Sequence, residues 1–356
     1  MAQWKLKNVS IRGVTGTVPN HAVKTNDFDI FSQEEADIFD NTVGIRNRYI
    51  GPDSLCTSDL CYEAAERLIT DVGWGKSEIE ALVFVSQTAD YFLPATACIL
   101  QDRLGLGREC YAEDVALGCS GWVYGLSNVA SLVATGSIKK ALLLVGDAKK
   151  RIEATHDPLF GHAGTATAIE YVEGAKGFQF HFGTDGSGYD AIIIPDGGSR
   201  NQVKLSSFDA EEIEGKMMNR LQTRMKGMDV FSFGITTAPK SIKKLAEYYG
   251  FDYLDYDYYI FHQANMKMNN QIVKKLKIDP EKVPSCMYNF GNTSSASIPM
   301  TIVSQLKGKF ENKPTKFLCC GFGVGLSWGT VAFDSDYMVV SDLVEVEELK
   351  GESKWV

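Results

Sequence analysis

The sequence predicts an α/β fold, and three observations carry that reading. Apolar runs of strand length alternate with segments of helical period. The alternation is run through twice, with the turn Gly183-Thr184-Asp185-Gly186-Ser187-Gly188 marking the start of the second half. A length of 356 residues favours two domains or one large double unit over a single small core. Alternating strands and helices imply a largely parallel sheet covered on both faces.

In the first half, the apolar, β-rich runs Lys5–Ile11, Ala81–Ser86, Ala112–Leu117, Ala141–Gly146 and Ala166–Tyr171 read as strands. Thr57–Val72 follows an Asp/Ser/Thr-rich segment and reads as a helix, as does Pro94–Leu104. From about Ser120 the residues Val123, Leu126, Val129, Ala130 and Val133 recur at helical spacing. In the second half, Tyr189–Pro195, Lys204–Phe208, Tyr258–Phe261, Pro284–Tyr288, Lys316–Cys320 and Gly329–Phe333 read as strands. Asp229–Tyr249, Ala264–Leu276 and Ser297–Gly308 read as helices. The acidic tail, Asp334–Val356, mixes apolar and charged residues and is expected to be an ordered extension, such as an added edge strand. No low-complexity linker separates the halves.

Bulk composition narrows the function. A hydrophobic content of 44% and a charged content of 23% are ordinary for a soluble globular chain. No apolar run approaches the roughly 20 residues a membrane span needs, and the N-terminus lacks a long apolar signal region. A net charge of −9 argues against a nucleic-acid binder. Eight cysteines without disulfide-framework spacing fit reduced thiols in a cytoplasmic protein. There is no Cys-x-x-Cys pair, and five scattered histidines give no metal-ligand pattern. Neither a metal nor a cofactor is expected.

Cys119 is the residue that points to chemistry. It sits in Asp114-Val115-Ala116-Leu117-Gly118-Cys119-Ser120-Gly121-Trp122, where a strand ends and a small-residue helix begins. A thiol at a helix N-terminus meets the positive end of the macrodipole and unpaired N–H groups, which favour the thiolate. Taken alone, a free cysteine is more often a small core residue. Two downstream segments change that balance: Phe261-His262-Gln263-Ala264-Asn265, and Asn289-Phe290-Gly291-Asn292-Thr293-Ser294-Ser295-Ala296-Ser297-Ile298-Pro299. With Cys119 they supply a nucleophile, an imidazole and a carboxamide. Papain-like proteases also run Cys, His, Asn, but their cysteine lies near the mature N-terminus in a Cys-Gly-Ser-Cys-Trp context. Here the context is Gly-Cys-Ser-Gly-Trp, well inside an α/β chain.

Several strings in order carry a closer resemblance: Val43-Gly44-Ile45-Arg46-Asn47-Arg48-Tyr49, Leu93-Pro94-Ala95-Thr96-Ala97-Cys98, the Cys119 elbow, His262-Gln263-Ala264-Asn265, Gly291-Asn292-Thr293-Ser294, and Gly321-Phe322-Gly323-Val324-Gly325-Leu326-Ser327-Trp328-Gly329. From about Leu6 to Phe333 the chain resembles the β-ketoacyl-acyl-carrier-protein synthase III group of the thiolase superfamily. The resemblance implies a thiolase-like fold: two similar α/β halves, 1–177 and 178–356, in five layers α-β-α-β-α, with 334–356 as an extension. It implies a decarboxylative Claisen condensation. An acyl group from coenzyme A or a carrier protein is held on Cys119 and joined to a malonyl unit on acyl carrier protein, giving a β-ketoacyl thioester. His262 and Asn292 would donate to the enolate oxygen, and the N–H groups of Cys119 and Val324 would form the oxyanion hole. The alternative is an acyltransferase of the same fold, in a specialised pathway, with a non-malonyl acceptor.

The resemblance also implies a homodimer, in which the Asp90–Pro94 loop reaches the partner's acyl tunnel, with Leu93 at the acyl-gate position often held by Phe. Basic residues that could meet an acidic carrier protein lie in two stretches. One holds Lys216, Arg220, Arg224 and Lys226, the other Lys267, Lys274 and Lys275; Arg220, Arg224 and Lys267 are the foremost docking candidates. Biosynthetic thiolases carry a second catalytic cysteine in the C-terminal glycine-rich loop. That position reads Gly321 here, so Cys319 and Cys320 are expected to be core residues. Three departures bear on the acyl donor. Ile38 and Thr42 stand where the family's Trp and Arg clamp the adenine of coenzyme A, Phe160-Gly161-His162-Ala163-Gly164 stands for Phe-Gly-Asp-Gly-Ala, and Leu93 stands for Phe.

Overall fold

A computed structural model describes residues 2–28, 30–148, 158–213, 216–310 and 313–347. The chain opens with β1 (Ala2–Leu6) and β2 (Val9–Pro19). The single strand expected at Lys5–Ile11 is thus two. Asn8 adopts a left-handed φ of 60°, and that break sends the two strands into different sheets. β3 (Ala22–Lys24) follows, then α1 (Gln33–Val43), capped by Ser32 and Glu35 and ended by Gly44 at φ 84°. β4 (Asn47–Tyr49) pairs with β3. Then come α2 (Thr57–Val72), β5 (Ala81–Val85), α3 (Thr96–Arg103), β6 (Tyr111–Val115), α4 (Gly121–Ala134), β7 (Lys140–Asp147) and β8 (Ala163–Tyr171).

The second half begins with β9 (Phe178–Thr184), a strand the sequence pattern does not mark. Short hairpin pieces follow: β10 (Ile192–Ile193), β11 (Glu211–Ile213), β12 (Lys216–Met218) and β13 (Arg224–Met225). Only two residues of the expected strand Tyr189–Pro195 are extended and paired. The expected strand Lys204–Phe208 is a 3₁₀ turn, closed where the Ser207 hydroxyl accepts the Lys204 N–H at 3.0 Å. Next are α5 (Gly227–Tyr249), β14 (Tyr258–Phe261), α6 (Met266–Leu276), α7 (Met287–Phe290) and α8 (Ser297–Leu306). α7 takes the end of the expected strand Pro284–Tyr288, because the Cys286 carbonyl accepts the N–H groups of Asn289 and Phe290. The chain closes with β15 (Thr315–Gly323), β16 (Ser327–Ser335), β17 (Val339–Val340) and β18 (Val344–Val346).

The strands build two large sheets, ordered β17-β2-β8-β7-β5-β6 and β1-β9-β16-β15-β14, with β18 also on β2. They are mixed rather than largely parallel. β5 pairs in parallel with β6 and β7, and β14 with β15, but β2/β8, β7/β8, β1/β9, β9/β16 and β15/β16 are antiparallel. The physical reason is clearest at β15 and β16, whose link of three residues permits a hairpin but no crossover. Each sheet borrows from the far end of the chain: β1 lies in the second, and β17 and β18 run parallel to β2 in the first. The acidic segment therefore contributes edge strands as far as Val346, which packs on Leu55, Leu60 and Ala148; 348–356 lie outside the described residues.

The layers follow from burial. α4 is buried on nearly every side, as a helix apolar all round must be. With α8 it fills the space between the sheets, Trp122, Leu126 and Ile302 sharing one core with Val83, Leu143, Phe180 and Val331. Glycine makes this approach close: a Cβ on Gly125 would sit 2.6 Å from Val85 and 2.7 Å from Leu143. α2 and α3 cover the outer face of the first sheet, and α5 and α6 that of the second. The result is the five-layered α-β-α-β-α arrangement.

Candidate active site

β6 ends at Val115 and α4 begins at Gly121 with Ser120 as its cap, so Cys119 stands directly before the helix N-terminus. It is half-buried, whereas Cys61, Cys286, Cys319 and Cys320 are buried. Burial pushes the Cys286 thiol up to about 11 and that of Cys320 to about 12, and raises Cys61 and Cys319 as well. These four are held as inert thiols. The half-buried Cys110 is likewise pushed up to about 11.

The strand β15 passes across Cys119. A Cβ on Gly323 would lie 2.7 Å from the Cys119 Sγ, and one on Gly321 2.9 Å from the Cys119 carbonyl oxygen. Only glycine permits this contact. The alternation of the strand turns Cys320 the other way, into the core under α5, where its sulfur accepts from Thr330 at 3.3 Å. Cys319 is buried in the central core. The turn after β15 is tied to the helix start: the Ser327 hydroxyl lies 2.7 Å from that of Ser120 and donates to the Val324 carbonyl at 2.9 Å. Val324 itself packs against Gly118.

His262 continues β14. Its N–H donates to the Cys320 carbonyl at 2.9 Å, and its own carbonyl accepts from the Asn269 side chain at 3.2 Å. The ring is buried, edge-on to Phe322, with Nδ1 2.8 Å from the Ser297 hydroxyl. The rest of the motif shapes the turn. Gln263 bridges the Phe261 carbonyl and the Ser285 hydroxyl, and Asn265 caps α6.

Asn292 follows Gly291 at φ 65°. Its backbone is fastened to the chain beside it, donating to Leu159 at 2.9 Å and accepting from Gly161 at 3.1 Å. Its side-chain oxygen accepts the Ser294 N–H at 2.9 Å, which directs the Nδ2 amino group away from that turn. Ser294 holds a left-handed φ of 50°, a strained choice for a residue with a side chain. The same segment then runs to Ser295, against Gly121 at the start of α4, and to Ser297 on His262. Ser295 against Gly121 and Ser297 on His262 thus tie the Asn292 segment to the start of α4, while Gly323 brings the turn after β15 beside Cys119. Ser297 lies in the Asn289–Pro299 segment, and a serine opening a helix looks like a cap until the fold brings His262 to it.

Other expected site residues fall elsewhere. Leu93 is 86% exposed and its neighbour Phe92 96% exposed, so neither lines a pocket of its own chain. Arg220 forms a two-pronged pair with Asp196 at 3.0 Å, and that bond holds the Asp196 carboxyl below its usual range. Arg224 pairs with Glu211 at 2.5 Å and Lys226 with Asp190 at 2.7 Å. Lys267 is exposed on α6 and makes no ion pair among the described residues. A groove of about 670 Å³ is lined by Lys5, Tyr249, Tyr256 and Lys316. It lies at the opposite end of β15 from Gly323 and is separate from this site. Among the described residues no cluster of three or more His, Cys, Asp or Glu could hold a metal.

Comparison with known proteins decides the family. Residues 113–186 match the description of 3-oxoacyl-[acyl-carrier-protein] synthase III, and residues 247–335 that of its C-terminal part. A putative 3-oxoacyl-[acyl-carrier-protein] synthase 3 of Campylobacter jejuni is 31% identical over 340 residues, 93% of this chain and 95% of that protein. The chain belongs to the 3-oxoacyl-[acyl-carrier-protein] synthase III family. A β-ketoacyl-[acyl-carrier-protein] synthase III of Desulfitobacterium hafniense is 31% identical, over 90% of this chain and 96% of the relative. The crystal structure of a 3-oxoacyl-(acyl-carrier protein) synthase from Burkholderia xenovorans superposes with a TM-score of 0.89 at 35% identity, covering 97% of this chain and 99% of the other.

Within this synthase family the departures take physical form. Ile38 is 54% exposed on α1, and the Thr42 hydroxyl turns back to the Ile38 carbonyl at 2.7 Å. That helix face presents neither an aromatic ring nor a cation at these positions. His162 is buried, and its Nδ1 accepts the Gly51 N–H at 3.0 Å; it serves the packing of the loops beside Asn292. Among the described residues no helix is long and apolar enough to cross a membrane.

Proposed function

We propose that this synthase joins an acyl group held on Cys119 to a malonyl unit carried on acyl carrier protein, with loss of CO2, in fatty-acid biosynthesis. In the first half-reaction the Cys119 thiolate attacks the donor thioester. The N–H groups of Cys119 and Val324 hold the oxyanion, and the donor's thiol leaves. In the second, the malonyl thioester oxygen accepts from Nε2–H of His262 and Nδ2–H of Asn292. The bond to the carboxylate breaks, CO2 departs, and the enolate carbon attacks the acyl carbonyl on Cys119. Collapse of that tetrahedral intermediate releases the β-ketoacyl thioester and returns Cys119 as the thiolate.

The observation that carries this reading is how the two donors are directed. The Ser297 hydroxyl meets Nδ1 of His262 and the Ser294 N–H meets Oδ1 of Asn292. With the Ser297 hydroxyl donating to Nδ1, both partners leave an N–H as the group directed away from the turn. Intact-mass measurement after incubation with a panel of acyl thioesters tests the proposal. An acyl adduct that vanishes in Cys119→Ser supports it, and an adduct that survives there contradicts it.

The chain reads as a homodimer. β6 is the open edge of its sheet and leads straight into the Cys119 turn, and the exposed Phe92 and Leu93 offer apolar surface a twin would cover. Light scattering at twice the chain mass is the expected result. Carrier-protein docking falls to Lys267 on α6, since Arg220 and Arg224 are engaged with acids of their own surface. The two halves are taken to meet near residue 177. Among the described residues no disulfide joins any of the eight cysteines, which fits a reducing cytoplasm.

A further inference from the structure

Asp147 closes β7 between the two segments that carry the chemistry. It is 1% exposed, and its carboxylate is ringed by donors. Oδ1 accepts from the Gln87 N–H at 2.9 Å, the Ser86 hydroxyl at 3.1 Å and the Thr88 hydroxyl at 3.4 Å. Oδ2 accepts from the Ser295 hydroxyl at 2.8 Å and the Ser295 N–H at 3.4 Å. A buried carboxylate is costly unless its oxygens are satisfied; here both are, and each oxygen serves a different loop.

The Oδ1 side holds the loop after β5, whose Gln87 lays its carboxamide on Gly118. A Cβ there would meet the Gln87 oxygen at 2.3 Å. The Oδ2 side holds the turn centred on Ser295. On one flank of that turn is Asn292 and on the other Ser297, the partner of His262. One side chain therefore reaches the nucleophile's approach with one oxygen, and with the other the segment that aims both enolate donors.

We infer that Asp147 is a positioning residue for the malonyl half-reaction, holding the 292–297 turn so that His262 and Asn292 point at one oxygen. This rests on the roles given above to His262 and Asn292. Asp147 exchanges no proton and meets no substrate; it acts through Ser295. In Asp147→Asn the carbonyl oxygen is expected to stay with the Gln87 N–H, which cannot reverse. The amino group then faces the Ser295 N–H, donor against donor, and the turn shifts.

The test compares Asp147→Asn, Asn292→Ala and the double variant in the full-length enzyme. Acylation of Cys119 is read by rapid quench and labelled CO2 release from malonyl carrier protein is read beside it. The expected result is a loss of decarboxylation of about tenfold or more in Asp147→Asn with acylation within about threefold, for a misaimed donor pair. The double variant should fall little below Asn292→Ala, because both changes act on one arrangement. Equal losses in both half-reactions, no loss, or full additivity in the double variant overturns the inference. If Asn292→Ala leaves decarboxylation intact, the reading of the site falls, and the inference with it. Should Asp147→Asn not fold, Ser295→Ala carries the same comparison with the carboxylate left in place.

Discussion

The Ser297 hydroxyl stands 2.8 Å from Nδ1 of His262, so the first residue of α8 aims a ring carried on the end of β14. With the hydroxyl donating, Nδ1 is the acceptor and Nε2 carries the proton. Ser297→Ala removes a buried hydrogen bond worth about 1 kcal/mol. Condensation should slow by about fivefold to tenfold, with a modest fall in melting temperature and little change in Cys119 acylation. Steady-state rates beside rapid-quench acylation check this; equal loss in both would assign Ser297 to the fold alone.

The contact between Gly323 and Cys119 predicts a second variant. In Gly323→Ala the new methyl would lie 2.7 Å from Sγ and 2.5 Å from the Cys119 Cβ, so the nucleophile must move. Misplacement by about 1 Å costs on the order of 100-fold in rate. Acylation should fall by about that factor while far-ultraviolet circular dichroism is unchanged. Full acylation would mean that β15 does not press on the thiol.

Acid stability should depend on His181. Its ring is buried between β9 and α5, with Nδ1 2.7 Å from the Ser241 hydroxyl. Burial first, then Lys244 and the N-terminus, push its pKa down to about 4. The unfolded chain therefore takes up the proton before the folded one does. The contribution is full above about pH 6.5, the ordinary histidine value, and is lost as pH falls toward 4. Its size is at most about 3 kcal/mol. Urea unfolding at pH 7.5 and pH 5 should show a loss in the native protein that His181→Gln reduces. An equal loss in both proteins would remove His181 from the account.

The exposed pair Ile38 and Thr42 predicts a preference between donors. With no ring and no cation on that face, binding of the adenine of coenzyme A lacks stacking and charge contacts, each worth about 1 kcal/mol. The same acyl group should react about tenfold faster, as kcat/KM, from carrier protein than from coenzyme A. Ile38→Trp with Thr42→Arg should narrow the gap. A native preference for coenzyme A would contradict this reading.

Much of this was legible in the sequence, for identifiable reasons. α2 and β14 begin and end where expected, because an acid- and hydroxyl-rich segment leads into one and a run of aromatic and β-branched residues makes the other. Cys119, His262 and Asn292 stand out in the sequence because each sits in a local string of its own: a strand-to-helix turn, a strand end and a Gly-Asn-Thr-Ser turn. Several of the departures share a cause, which is distance along the chain, and others are local. Lys5–Ile11 alternates like one strand, and only the fold reveals that its two parts pair with β9 and β8. α1 buries only Ala36 among its described side chains, so its apolar period is faint. β9 hides a buried histidine among its phenylalanines. Arg220 and Arg224 looked available until Asp196 and Glu211 came beside them. Asp147 and Ser297 are unremarkable letters until the fold brings Ser295 and His262 to them.

The division of labour between Cys119 and the pair His262 and Asn292 is the central claim, and separating the half-reactions tests it most directly. Rapid-quench acylation and labelled CO2 release from malonyl carrier protein should be measured on His262→Ala and Asn292→Ala. The account predicts that acylation stays largely intact, because the helix N-terminus activates the thiol. Decarboxylation should fall by roughly 100-fold or more, the usual cost of one oxyanion donor. Equal collapse of acylation in His262→Ala would make His262 the base for Cys119, and unchanged decarboxylation in both variants would contradict the condensing chemistry itself.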